Sequence, residues 1–255
     1  MTFLPKAPLP SWIWAVLLAP FIGSFLGVVA MRHDAPATML TGRSACEACG
    51  TKLGAADLVP VVSWAFLRGK CRHCGASIGL FYPAIELAAV VVALWSATVF
   101  SGLAFWAGCG LGWTLLALAV TDIKYFQLPD FLTLPLVAAG LLVAAVLGAG
   151  TNSLASHGLG VVAGYAFVRL LRFSYRALRG REGMGLGDAK LLAAAGAWVS
   201  WQGLPSVLVI ASLSALAVVL VMRGPKIDPA RRVPFGVFLA LGLWIVWLYG
   251  PLTTG

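Results

Sequence analysis

Two aspartates and four cysteines carry the chemistry most plainly. Asp122 ends the apolar run 115–121 and opens Asp122-Ile-Lys-Tyr-Phe-Gln-Leu-Pro129-Asp130, and Asp188 ends Gly183-Met-Gly185-Leu-Gly187-Asp188 and opens another apolar run. An ionisable residue placed centrally in a membrane span costs about 2.5–3.5 kcal/mol on insertion scales, so carboxylates in or beside such runs are functional candidates by default. Glu86 and Asp130 share that position. If Asp122 and Asp188 face each other, like-charge repulsion and partial desolvation keep both from ionising together, and the pair shares one proton. That is the aspartic-protease arrangement. One carboxylate takes a proton from water while the other, protonated, donates to the scissile carbonyl oxygen. The competing reading is structural: Asp is a favoured N-cap residue and suits the positive end of a helix. Asp188 and Asp130 are both open to it, and inter-helix ion pairs are a further alternative.

The glycines before Asp188 bear on the same chemistry. Gly183, Gly185 and Gly187 predict an unwound backbone that an extended chain can approach closely, with N–H groups free to bind it. A phosphate loop or dinucleotide fingerprint is excluded, because no strand precedes the run and no G-K-[ST] ending follows it. Pro129 lacks an N–H and restricts Leu128, which predicts a break and a short loop before the next helix.

Cys46-Glu-Ala-Cys49-Gly50 and Cys71-Arg-His-Cys74-Gly75 are two C-x-x-C-G hooks separated by 21 residues. Their spacing matches a four-thiolate zinc site, with each Gly allowing the tight turn that aims backbone N–H groups at sulfur. Two disulfides or unligated thiols are the alternatives, and a reducing cytosol disfavours the first. Four protein ligands close the metal's coordination shell, so the zinc is structural. Arg43, Lys52, Lys70 and Arg72 stand close in sequence to offset the site's negative charge. Cys109, alone in an apolar run, reads as a small buried hydrophobe.

The elements that must position these residues are membrane helices. Of 255 residues 60% are hydrophobic and 11% charged, and the mean hydropathy is +0.93, which excludes a water-soluble globule. Apolar runs at 11–31, 81–101, 103–121, 131–150, 154–172, 188–202, 204–222 and 234–252 predict an all-α polytopic membrane protein of about eight transmembrane helices. The run 188–202 is short for a full crossing, which predicts that it is tilted, half-buried in the bundle or re-entrant. The first run is too long, and too weakly preceded by positive charge, for a cleaved signal peptide. A small zinc module is inserted after it. The expected domains are 1–31, the N-terminus and first helix; 32–80, a cytoplasmic four-cysteine zinc module; and 81–255, a seven-helix membrane peptidase core.

The net charge of +9 is read as topology rather than as nucleic-acid binding. With both termini outside, only Lys6 of the 18 basic residues falls on the outer side, and the 32–80 module and the connections near 122–130, 169–190 and 223–233 fall inside. The basic face Arg169, Arg172, Arg176, Arg179 fits an anchor against anionic lipid headgroups. A serine triad is disfavoured, since no nucleophile elbow is present and His33 and His157 fall on opposite sides. No H-E-x-x-H zinc-protease motif occurs.

Taken in order, these segments resemble the type IV prepilin leader peptidases of bacterial pilus and type II secretion systems, the GxGD-type aspartic peptidases. The likeness rests on Gly23-Ser24-Phe25-Leu26, the paired cysteine hooks, Val59-Pro60-Val-Val-Ser63-Trp64 through Arg68-Gly69-Lys70-Cys71-Arg72, and Tyr82-Pro83 with Glu86. It continues through Asp122 to Asp130, Gly183 to Lys190 with Gly196-Ala197-Trp198, and Pro234-Phe235-Gly236. The sequence departs from the family pattern at Gly27-Val28, where Asn-Val is usual, and at Arg32-His33-Asp34-Ala35-Pro36, where Arg-Leu-Pro is usual.

The resemblance implies catalysis by Asp122 and Asp188, with Asp130 structural or positioning substrate. It implies cleavage of the basic leader of a prepilin or pseudopilin, after a Gly, at the cytoplasmic face of the bacterial inner membrane, with both termini periplasmic. It also implies N-methylation of the new N-terminus with S-adenosylmethionine, a reaction associated with the zinc-bearing loop, for which Gly69, Lys70 and Glu86 are the cofactor-binding candidates. The expected partners are that substrate and membrane lipid, without nucleic acid. A peptidase lacking methyl transfer, and a non-enzymatic assembly factor whose zinc module docks a partner, are the alternatives. A transporter is disfavoured because a carrier places its polar groups near the membrane midplane.

Overall fold

The computed structural model describes residues 11–32, 44–148, 151–180, 185–221 and 233–252. The elements are α1 (Ser11–Met31), a 3₁₀ turn (Ala55–Leu58), α2 (Val62–Phe66), α3 (Phe81–Val99), α4 (Gly102–Tyr125), α5 (Asp130–Leu147), α6 (Thr151–Arg179), α7 (Leu186–Val221) and α8 (Phe235–Tyr249). No strand occurs among the described residues, only two isolated bridges. Six helices (α1 and α3 to α7) are long and apolar enough to cross a membrane, and α8 is a shorter apolar helix. The chain divides into two compact units, 1–113 and 114–255, and the boundary falls inside α4.

In the first unit α1 packs on α3 through a stripe of small residues. Ala15, Ala19, Gly23, Gly27 and Ala30 are buried on one face of α1, and an added Cβ at Gly23 would lie 2.7 Å from the Glu86 Cα. Lipid tails are as apolar as Leu, so helices in a bilayer associate where small residues let backbones meet. Trp113 Nε1 donates to the Ala89 carbonyl (3.0 Å) and Ser96 Oγ to the Phe105 carbonyl (3.2 Å). These bonds tie the start of α4 back to α3.

In the second unit the same device recurs as Gly160-Val-Val-Ala-Gly164 on α6. A Cβ at Gly160 would stand 2.6 Å from the Gly196 carbonyl oxygen, and one at Gly164 2.5 Å from that of Leu192. Gly140 of α5 lies under the Trp198 indole, whose Nε1 donates to the Leu136 carbonyl at 2.9 Å. Residues 191–198 are all buried. This stretch of α7 is apolar on every side because helices surround it, so the middle of the short apolar run 188–202 is enclosed by protein while its end at Trp201 and Gln202 is exposed.

The runs 188–202 and 204–222 form one element broken at Ser200 (φ 59°, ψ 177°). Asp188 and residues Ala215, Leu216 and Val219 line one cavity, although a straight helix would hold 188 and 215 about 40 Å apart. The chain therefore reverses at Ser200. His157 Nδ1 lies 2.9 Å from the Ala197 carbonyl, one of the acceptors that a helix break leaves without its usual partner.

Other boundaries move for local reasons. α4 continues to Tyr125, so Asp122 lies in its last turn rather than at the head of a loop. The turn ends at Phe126 (φ +54°), and Pro129 is the N-cap of α5 with Asp130 its first residue. α6 runs on to Arg179, past the apolar run's end at 172. Lys190 lines the same cavity as Asp188, and Arg169, Arg172 and Arg176 line a second pocket that shares Leu186 with it.

Candidate active site

Asp122 is 5% exposed. Its Oδ2 accepts the Val237 N–H at 3.2 Å, and a Cβ at Gly236 would come within 2.8 Å of that oxygen. The carboxylate thus sits against the N-terminal turn of α8, where unpaired N–H groups favour an anion. Val237 has no signal in the sequence near Asp122. The Pro234-Phe235-Gly236 segment is the only pointer to it.

Asp188 occupies the third position of α7, with Gly185 at the N-cap, and its Oδ2 accepts the Gly185 N–H at 3.2 Å. It supplies the carboxylate half of a capping box and is not itself the N-cap. Asp122, Asp130, Gly185, Gly187, Asp188 and Lys190 all line one cavity of about 880 Å³. Gly187 gives room to Leu128, whose Cβ would lie 2.9 Å from an added Cβ, whereas Gly185 is exposed with space around it. Asp130 pairs with Lys190. Gly183 lies outside the described residues.

The cysteines form a second centre. The Sγ atoms of Cys46, Cys49, Cys71 and Cys74 lie within 4.8 Å of one another, with Cys46 and Cys74 3.8 Å apart. Four sulfurs about 2.3 Å from one zinc ion stand about 3.8 Å apart. Gly50 N–H donates to the Cys46 carbonyl and Gly75 N–H to that of Cys71. Gly50 and Gly75 take φ of +68° and +72°, a conformation that favours glycine.

The Thr51 hydroxyl and backbone lower the Cys49 thiol to about 6. Cys74 is pushed up to about 11: the Ala76 N–H lowers it, but desolvation and the three neighbouring thiols outweigh that. Zinc binds thiolates, and its positive charge is what stabilises four of them gathered this closely. Arg72 is drawn to Asp57 (Nε to Oδ1, 2.9 Å) rather than to the sulfurs.

The methyl-donor candidates have separate surroundings. Gly69 (φ +67°) packs under the Trp64 indole, whose Nε1 donates to the Ile78 carbonyl at 3.1 Å, and Lys70 is exposed. Glu86 is 5% exposed and its Oε2 accepts the Val61 N–H at 2.7 Å. That bond holds a β-branched residue at φ +59°, a costly conformation. Glu86 thus ties α3 to the head of α2.

Comparison with known proteins decides the family. The bacterial peptidase A24 N-terminal domain matches residues 17–100 and the type IV leader peptidase family matches residues 109–220. A "Prepilin leader peptidase/N-methyltransferase" of Burkholderia pseudomallei is 41% identical over 258 residues, covering 90% of this chain and 82% of the relative. The chain belongs to the type IV leader peptidase family. Proteins of the same name from Aeromonas hydrophila (36% identical; 95% of this chain, 93% of the relative) and Pseudomonas aeruginosa (34%; 100% and 96%) extend the match across the family member's length. No solved structure matches the chain.

Proposed function

We propose that this family member cleaves the leader of a prepilin or pseudopilin and methylates the new N-terminus. The observation that carries the peptidase reading is the single cavity shared by Asp122 and Asp188. One carboxylate, ionised, takes a proton from the attacking water, and its neighbour, protonated, donates to the scissile carbonyl oxygen. As the intermediate collapses, the first carboxylate passes the water's proton to the leaving amine and the second recovers its proton from the new hydroxyl, which restores the dyad. The Val237 N–H orients the Asp122 carboxylate, and Gly185, exposed and without a side chain beside the Asp188 carboxylate, lets an extended chain approach it. The substrate's apolar helix enters laterally from the bilayer, which brings the bond after its leader to the helix ends.

The same reading places the protein in the bacterial inner membrane with eight crossings, α7 contributing two and α8 the last. Both termini are periplasmic and the cavity and zinc module cytoplasmic, consistent with cations gathered at the cavity end. It keeps the division into 1–31, 32–80 and 81–255 as functional parts. Cys46, Cys49, Cys71 and Cys74 would hold a zinc ion that orders the module.

S-adenosylmethionine would supply the methyl group. Of its three candidate residues, Glu86 is buried and engaged by Val61, and Gly69 and Lys70 offer no acid. They do not by themselves make a site for its sulfonium. The test is mass measurement of pilin incubated with purified protein, with and without the methyl donor. A shortened pilin one methyl heavier only with the donor is expected, and an uncut pilin under both conditions would sink the reading.

A further inference from the structure

The cavity contains a charged pair that the cleavage chemistry does not use. Asp130 opens α5 and Lys190 lies in the first turns of α7, 60 positions away in sequence, and they meet as an ion pair. Both line the cavity that holds Asp122 and Asp188. The Asp130 side chain is 58% exposed and that of Lys190 29%, and an exposed pair of this kind adds little to stability. Holding the fold together is therefore a weak reason for it.

Its surroundings suggest a better one. The described lining residues include three carboxylates and one ammonium, so with one proton shared between Asp122 and Asp188 the lining still carries one more negative charge than positive, which favours a cationic ligand. Asp122 is buried against α8 and Asp188 is turned to the Gly185 N–H, so Asp130 is the carboxylate most open to an arriving side chain. It already holds an ammonium. The Lys190 stem is flexible and unbranched, so its charge can leave Asp130 without moving the backbone.

We infer that Asp130 receives a lysine or arginine side chain of the substrate's leader near the scissile bond, and that Lys190 is its internal competitor, seated on Asp130 until the substrate displaces it. This rests on the cavity being the cleavage site. It makes Asp130 a specificity residue, and it gives the two partners of one ion pair opposite effects on substrate binding.

Steady-state cleavage by the full-length protein in lipid–detergent micelles tests it. Two prepilins would be used, one with its leader's basic residues and one with the basic residue nearest the cleaved bond replaced by glutamine. Asp130→Asn is expected to raise KM about tenfold for the first substrate and to change KM for the second by less than about twofold, the scale of one charge-assisted contact. The kcat for both should change little. Lys190→Gln is expected to lower KM for the basic substrate about threefold, the smaller change expected when a weak exposed pair is opened.

Equal effects of Asp130→Asn on both substrates, or a raised KM in Lys190→Gln, would overturn the proposal in favour of a structural pair. A fall in kcat without a change in KM would overturn it as well. Failure of the cavity reading has a different signature, since Asp122→Asn would then still cleave.

Discussion

Asp122→Asn and Asp188→Asn are each expected to lower prepilin cleavage by at least about a thousandfold, within the range lost when a general acid or base is removed. Asparagine keeps the size of the side chain and can still accept the Val237 or Gly185 N–H, but it cannot exchange a proton with water or the scissile carbonyl. Packing is preserved by design, so both variants should insert and unfold as the wild type does. The double variant should be little worse than either single one, because groups that act as a unit lose their effect together. Methyl transfer to a pilin supplied already cut should persist. Full cleavage by either correctly inserted single variant would exclude the dyad.

The second large effect concerns the cysteines. Cys71→Ser is expected to remove zinc from the protein, from about one ion per chain to well below one by elemental analysis, and to unfold the segment 44–78. The module has almost no apolar core: its exposed Leu58, Val59, Val62 and Phe66 leave the hooks to hold it, and structural zinc contributes about 10–16 kcal/mol in comparable small sites. Acid should act in the same direction. Zinc requires thiolates, so lowering the pH protonates the ligands and releases the metal. N-methylation should be lost with the metal while cleavage by the aspartates continues. Methylation at the wild-type rate in a zinc-free protein would separate the module from that reaction.

Much of this was legible in the chain. The cysteine hooks are local, each a four-residue turn closed by Gly, so spacing alone predicted a cluster that the sulfur positions fit. The spans follow from hydropathy, and Asp122 and Asp188 stand out because a carboxylate beside an apolar run is costly. What escaped was long-range. Val237 lies 115 positions from Asp122, and Lys190 60 from Asp130, and neither distance leaves a trace in periodicity.

The reversal at Ser200 is made by one residue held by its neighbours. The sequence there, Trp198-Val-Ser-Trp201, carries no turn signal, and hydropathy separated the two runs without indicating that a single residue joins them. The capping role of Asp188 turned on register, since the N-cap and the third helical position differ by only three residues. Gly160 and Gly164 could be seen as small residues, but their partners Gly196 and Leu192 on α7 could not.

The location of the cleaved bond can be read directly by placing a photoreactive side chain at the last leader residue of a full-length prepilin and binding it to the Asp188→Asn protein in membranes. Label is expected within 126–130, 185–188 or 233–235, the segments that line the cavity around Asp122. Label confined to the zinc module or to α1 and α3 would contradict the assignment of that cavity as the peptidase site.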